Sequence, residues 1–198
     1  MDELLRRLRT RVEDVDELRW SALAVALGFV GLVTLFVGGD AVTDPGGWTG
    51  IGGTAAGLLV LLGSCVLAWW RPGFALVLLT VLACAPLAFG LWSLVDYGAA
   101  HHWENDHGPV SLVFVLAVCA PAAVAGLFRP RAAGWLILAV TVVPLLLAAV
   151  GATSHFFEPL SVGVLVTPLV VSGALFLRSA RRQDHPGTRP AVGQGRGA

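Results

Sequence analysis

Six apolar stretches, at 21–39, 48–70, 73–95, 109–128, 132–151 and 160–177, alternate with short polar connections along the 198-residue chain. None contains Asp, Glu, Arg or His. Each is close to the roughly 20 residues that an α-helix needs to cross about 30 Å of hydrocarbon. The pattern therefore predicts an all-α integral membrane protein of six transmembrane helices, arranged as hairpins because the connections are short.

Ahead of the first stretch, residues 1–19 predict an amphipathic helix. At 100° per residue, Met1, Leu4, Leu5, Leu8, Val12, Val15 and Leu18 share one face, and most of the charges fall elsewhere. Six acids among the first seventeen residues, and no small-residue cleavage site after the first apolar run, argue against a signal peptide. Lying on the inner membrane surface and packing on cytoplasmic loops are both open to this helix. The transmembrane domain is expected over 20–178. Residues 179–198 hold too few apolar side chains to bury anything and predict a disordered cytoplasmic tail.

Charge orients the helices. All thirteen basic residues are arginines, and they lie in the N-terminal segment, the second and fourth connections and the tail. The first, third and fifth connections hold only acids and histidines as ionisable groups. This is the positive-inside alternation, with both termini cytoplasmic. Aromatic residues agree: Trp20, Trp69, Trp70 and Trp135 fall at inner ends, and Trp48, Trp92, Tyr97 and Trp103 at or beyond outer ends. The chain is 56% hydrophobic and 13% charged, with a mean hydropathy of +0.78, outside the range of soluble domains. A net charge of zero leaves no basic surface for nucleic acid. All-arginine usage with heavy Ala, Val, Leu and Gly points to a bacterial chain, and so to the bacterial cytoplasmic membrane.

The chain also repeats. Arg71-Pro72 recurs as Arg129-Pro130, and Pro86-Leu87 as Pro144-Leu145, both 58 residues on. This predicts a helical hairpin with a tight Arg-Pro turn, used twice in parallel rather than as the inverted repeat of many transporters. Pro86, Pro121, Pro144 and Pro168 fall mid-span and predict kinks. Gly53-xxx-Gly57 predicts a close helix contact within one chain or between two.

Dense chemistry is confined to the third connection, His101-His102-Trp103-Glu104-Asn105-Asp106-His107. Its imidazoles and carboxylates are a ligand set for a weakly held divalent transition metal, Zn²⁺ or Cu²⁺, with His155 in the fifth connection completing it. The candidate metal residues are thus His101, His102, Glu104, Asp106, His107 and His155. Against this stands a short wet loop that only stops the helices, the more economical reading because no closed zinc spacing is present. Histidines beside acids also suit a sensor of external pH. Cys84-Ala85-Pro86 and Cys119-Ala120-Pro121 put two thiols at one depth in adjacent spans, where simple packing competes with a thiol pair.

The chain shows no Ser-His-Asp set, no phosphate loop, no paired transmembrane histidines for haem and no intramembrane carboxylate. The expectation is a non-enzymatic multi-pass membrane protein, without a certain cofactor. It would act on the lipid bilayer side as a scaffold or partner subunit, with a membrane-protein partner or a second copy. The alternative is a transporter or channel for a neutral or apolar solute, lined by the proline-bearing helices.

Overall fold

The computed structural model describes residues 16–43, 48–96, 98–99, 102–103, 110–151 and 158–184, with side chains left undescribed at 36–43, 48–54, 94, 110–112, 143–151, 158–165 and 184. The described part is all-helical. Six helices follow in order: α1 Glu17–Thr43, α2 Trp48–Trp70, α3 Pro72–Val95, α4 Val110–Gly126, α5 Pro130–Gly151 and α6 Glu158–Asp184. Two of them, over Glu17–Leu35 and Pro72–Ser93, carry described stretches long and apolar enough to cross a membrane. The shorter described apolar stretches are Ala55–Trp70, Val113–Gly126 and Pro130–Val142.

Proline and arginine set the sharp turns. Pro72 and Pro130 each take the first helical position, where the missing N–H costs nothing and the fixed φ suits a helix start. Two backbone bonds of each turn recur at the 58-residue spacing. Arg71 N–H donates to Leu67 O at 2.8 Å, and Arg129 N–H to Ala125 O at 2.9 Å. Ala75 N–H donates to Arg71 O at 2.9 Å, and Ala133 N–H to Arg129 O at 3.1 Å. Inside the helices, Pro86, Pro121 and Pro168 leave the helical run unbroken. The side chain of Pro144 lies outside the described residues.

Helix α4 is the hub, packing on α1, α2, α3, α5 and α6. Val118, Cys119, Ala120, Ala122, Ala123 and Ala125 are all sealed in the core. Small side chains on a central helix let its neighbours approach closely, which is how packing substitutes for bulk. The most extensive pair is α5 with α6. There an ideal Cβ on Gly134 would sit 2.9 Å from the Gly173 carbonyl oxygen, so only glycine permits the crossing. A Cβ on Gly126 would sit 2.7 Å from the ring of Phe176, itself fully buried. Gly57, by contrast, has nothing within 4 Å of an added Cβ. The tight glycine contacts among the described residues are therefore on α4, α5 and α6, not on the Gly53-xxx-Gly57 stripe, of which Gly53 has no described surroundings.

Two polar bonds run along the α1–α6 seam. Ser172 Oγ–H donates to Ala22 O at 2.8 Å, and Arg19 Nε–H to Ser179 Oγ at 3.1 Å. Counting up α1 pairs with counting down α6, so the two helices are antiparallel. This seam extends α6 beyond the expected span end at 177. Residues 179–184, expected in the tail, are helical, and Ser179 and Ala180 are buried.

Candidate functional site

Contacts between distant segments gather the arginine-bearing ends of the bundle into one place. Arg19 Nη1–H donates to Leu127 O at 2.8 Å while its Nε–H reaches Ser179, tying the start of α1 to the ends of α4 and α6. The same turn meets the first hairpin: Trp69 and Phe128 are edge-to-face with centroids 5.3 Å apart. The Arg129 guanidinium lies over the first turn of α3, where a Cβ on Gly73 would be 3.4 Å from Nη2. The two copies of the Arg-Pro turn thus pack directly on each other.

Arg19 is the residue that the sequence reading missed. In sequence it falls in the N-terminal amphipathic segment, but Glu17–Arg19 form the first turn of α1 and Arg19 is 5% exposed. A cation at a helix C-terminus is favoured by the macrodipole, and Leu127 O is one of the carbonyls that α4 leaves without an intrahelical partner. Its Nη2 is buried without a hydrogen-bond partner among the described residues. A usable signal was present: Ser172 and Ser179 lie seven residues apart on an otherwise apolar face, two turns along one side of α6.

At the opposite end of α3, Trp103 folds back on Phe89 and Trp92, with centroids 5.6 and 6.3 Å away. Asp96 Oδ1 accepts from Ala99 N–H at 3.0 Å and holds the start of the third connection. Of the expected metal ligands only His102 is described, and it is exposed. His101, Glu104, Asp106, His107 and His155 lie outside the described residues. Among the described residues no three His, Cys, Asp or Glu groups come together.

The cysteines are not paired. Cys119 is in the core, while Cys84 is exposed on α3 and donates its thiol to Thr80 O at 3.6 Å. Both remain free, as does Cys65. Equal depth in the sequence did not mean equal facing, because the α4 face that holds Cys119 is the one its neighbours cover. No family model, curated protein or solved structure matches this chain.

Proposed function

We propose that the chain is a six-span protein of the bacterial cytoplasmic membrane, with both termini inside, and that it works without catalysis as a scaffold or partner subunit. One observation carries the membrane reading: the described outer face of the bundle is apolar, as its core is. Leu35, Leu59 and Val77 are 77%, 71% and 65% exposed, while Arg19, Thr141, Ser172 and Ser179 are buried. A bundle in water would leave this outward apolar surface unpaired, whereas hydrocarbon matches it. The helix hydroxyls support the same reading. Thr34, Ser64, Thr80, Ser93 and Thr141 each donate to the carbonyl four residues back, which satisfies them without water.

The scaffold reading rests on the tight packing around α4 and on helices α2 and α3, whose exposed apolar faces are available to lipid or to another helix. Alkaline phosphatase and fluorescent-protein fusions test the orientation. Phosphatase activity is expected after Asp44, His107 and Gly151, and fluorescence after Arg71, Arg129 and Arg182. Phosphatase activity at either Arg-Pro turn would overturn the model. Crosslinking in native membranes followed by mass spectrometry tests the scaffold role, which requires a reproducible membrane-protein neighbour.

A further inference from the structure

The arginine end of the bundle carries more positive charge than its described acceptors satisfy, and it does so in an organised way. Arg71 and Arg129 each precede a helix N-terminus, Arg131 follows one, and all three are exposed. Neither α3 nor α5 has an acid in its first turn, so neither helix offsets its positive end with a carboxylate of its own. Pro72 has no N–H and Ala75 N–H is the first to find a helical acceptor, so helix geometry leaves the N–H groups of Gly73 and Phe74 as donors in search of one. Arg129 is nevertheless laid across this same turn, cation against positive dipole, with its guanidinium at contact distance from Gly73. Taken alone, that arrangement is repulsive.

A second cation lies beside the second Arg-Pro turn. Arg19 is buried against the second Arg-Pro turn through Leu127, two residues before Arg129, and its Nη2 has no partner among the described residues. The described acids at this end are Asp16 and Glu17 at the start of α1 and Asp184 at the end of α6, so the described residues of the twin turn carry none. Flanking the turn, Trp70 and Phe74 are 74% and 60% exposed. A soluble anion has no use for these two side chains, while a lipid has both a phosphate for the guanidinium groups and acyl chains for the rings.

We propose that the twin Arg-Pro turn is a binding site for an anionic phospholipid, its phosphate held by Arg129, Arg71 and the first-turn N–H groups of α3, and its acyl chains lying on Trp70 and Phe74. The site rests on the membrane reading above, and it goes beyond the general attraction of arginines for the inner surface by naming one turn. It also gives the internal repeat a use, since one Arg-Pro turn alone supplies a helix start and one guanidinium, and only the packed pair brings Arg129 over the α3 N-terminus.

The test uses the full chain purified in a zwitterionic detergent, with phosphatidylglycerol, phosphatidylcholine or inorganic phosphate added. Native mass spectrometry counts retained lipid, and a thermal melt reports its effect on stability. Phosphatidylglycerol is expected to be retained and to raise the melting temperature, and phosphatidylcholine to do neither. Each guanidinium near an anionic headgroup is worth about fivefold in affinity, so Arg71→Gln with Arg129→Gln should weaken retention about thirtyfold. Arg178→Gln with Arg182→Gln removes the same charge from the end of α6 and should change it far less. Circular dichroism of each variant confirms that the helices remain. Equal retention of the two lipids would overturn the site, as would equal losses in the two double variants. Displacement of phosphatidylglycerol by inorganic phosphate at matched concentration would also overturn it, in favour of a small-anion site. Carbonate washing of membranes separates the two levels: release of the chain would sink the membrane reading itself, whereas retention without lipid preference would sink only this site.

Discussion

Replacing one glycine by alanine should have opposite effects at two places in this bundle. At Gly134 the new Cβ would lie 2.9 Å from the Gly173 carbonyl oxygen and 3.0 Å from Leu177 Cγ and Cδ2, against an ordinary contact of 3.4–4 Å. The oxygen belongs to the backbone of α6, so the shortfall of about half an ångström must be met by moving α5 and α6 apart. That is the most extensive helix pair in the molecule. Overpacking of this kind costs about 1–3 kcal/mol, and a site closed by backbone belongs in the upper part of that range. Alanine's better helix propensity returns about 1 kcal/mol, leaving Gly134→Ala destabilised by about 1–2 kcal/mol. Gly57 offers the same chemical change without the clash, because nothing lies within 4 Å of its Cβ position. Gly57→Ala should therefore be stabilised by up to about 1 kcal/mol. Equilibrium unfolding in mixed micelles of a mild detergent and dodecyl sulfate, followed by tryptophan fluorescence, resolves a gap of this size. A Gly134→Ala protein as stable as the wild type, or a Gly57→Ala protein less stable than Gly134→Ala, would refute the close crossing of α5 and α6.

Arg19→Gln should lower stability by about 2 kcal/mol in the same assay, because two charge-assisted hydrogen bonds are lost and relief of a buried cation offsets part of that. Ser179→Ala should cost about 1 kcal/mol alone and little more when added to Arg19→Gln, and full additivity of the pair would argue against their bond. A lipid-soluble maleimide should label Cys84 well before Cys119, since one is exposed and the other sealed in the core; equal rates would contradict the packing of α4. If the third and fifth connections hold a metal, calorimetry should show weak Zn²⁺ or Cu²⁺ binding near pH 7.5. Binding should weaken at about pH 5.5 because protons compete with the metal for the ligand nitrogens. No heat at the higher pH, or unchanged binding after His101, His102 and His107 all become Ala, would leave that segment an ordinary polar loop.

Helix order was legible because hydropathy acts locally. Each apolar stretch maps onto one helix, and α2 is described over the same residues, Trp48–Trp70, that its apolar run covers. The Arg-Pro turns were legible for a similar reason, since proline at the first helical position and its missing N–H dictate the turn regardless of what packs there. The partners of each face were not legible. Gly126 and Gly57 look alike in sequence, yet Phe176 fills the space above one and nothing approaches the other. Cys84 and Cys119 share a tripeptide, yet neighbours enclose α4 around Cys119 and leave the Cys84 face of α3 open. Facing is decided by which helices pack together, a property that six stretches of nearly uniform apolarity do not encode in their periodicity.

Arg19 marks the boundary between these two kinds of information. In sequence it is one of thirteen arginines at the edges of apolar runs, and topogenesis accounts for all of them equally. In the fold it is set apart by its acceptors, a carbonyl at the end of α4 and a hydroxyl of α6, each more than a hundred residues away. A cation with this burial must be held by something, and two bonds satisfy only part of a guanidinium that has five N–H donors. Among the described residues Arg19 keeps one nitrogen without a partner and the Arg129 guanidinium lies over a helix N-terminus, and these two observations give the arginine end its claim to a ligand. Lipid retention by Arg71 and Arg129 variants and metal titration of the histidine variants put the two ends of the bundle to separate tests.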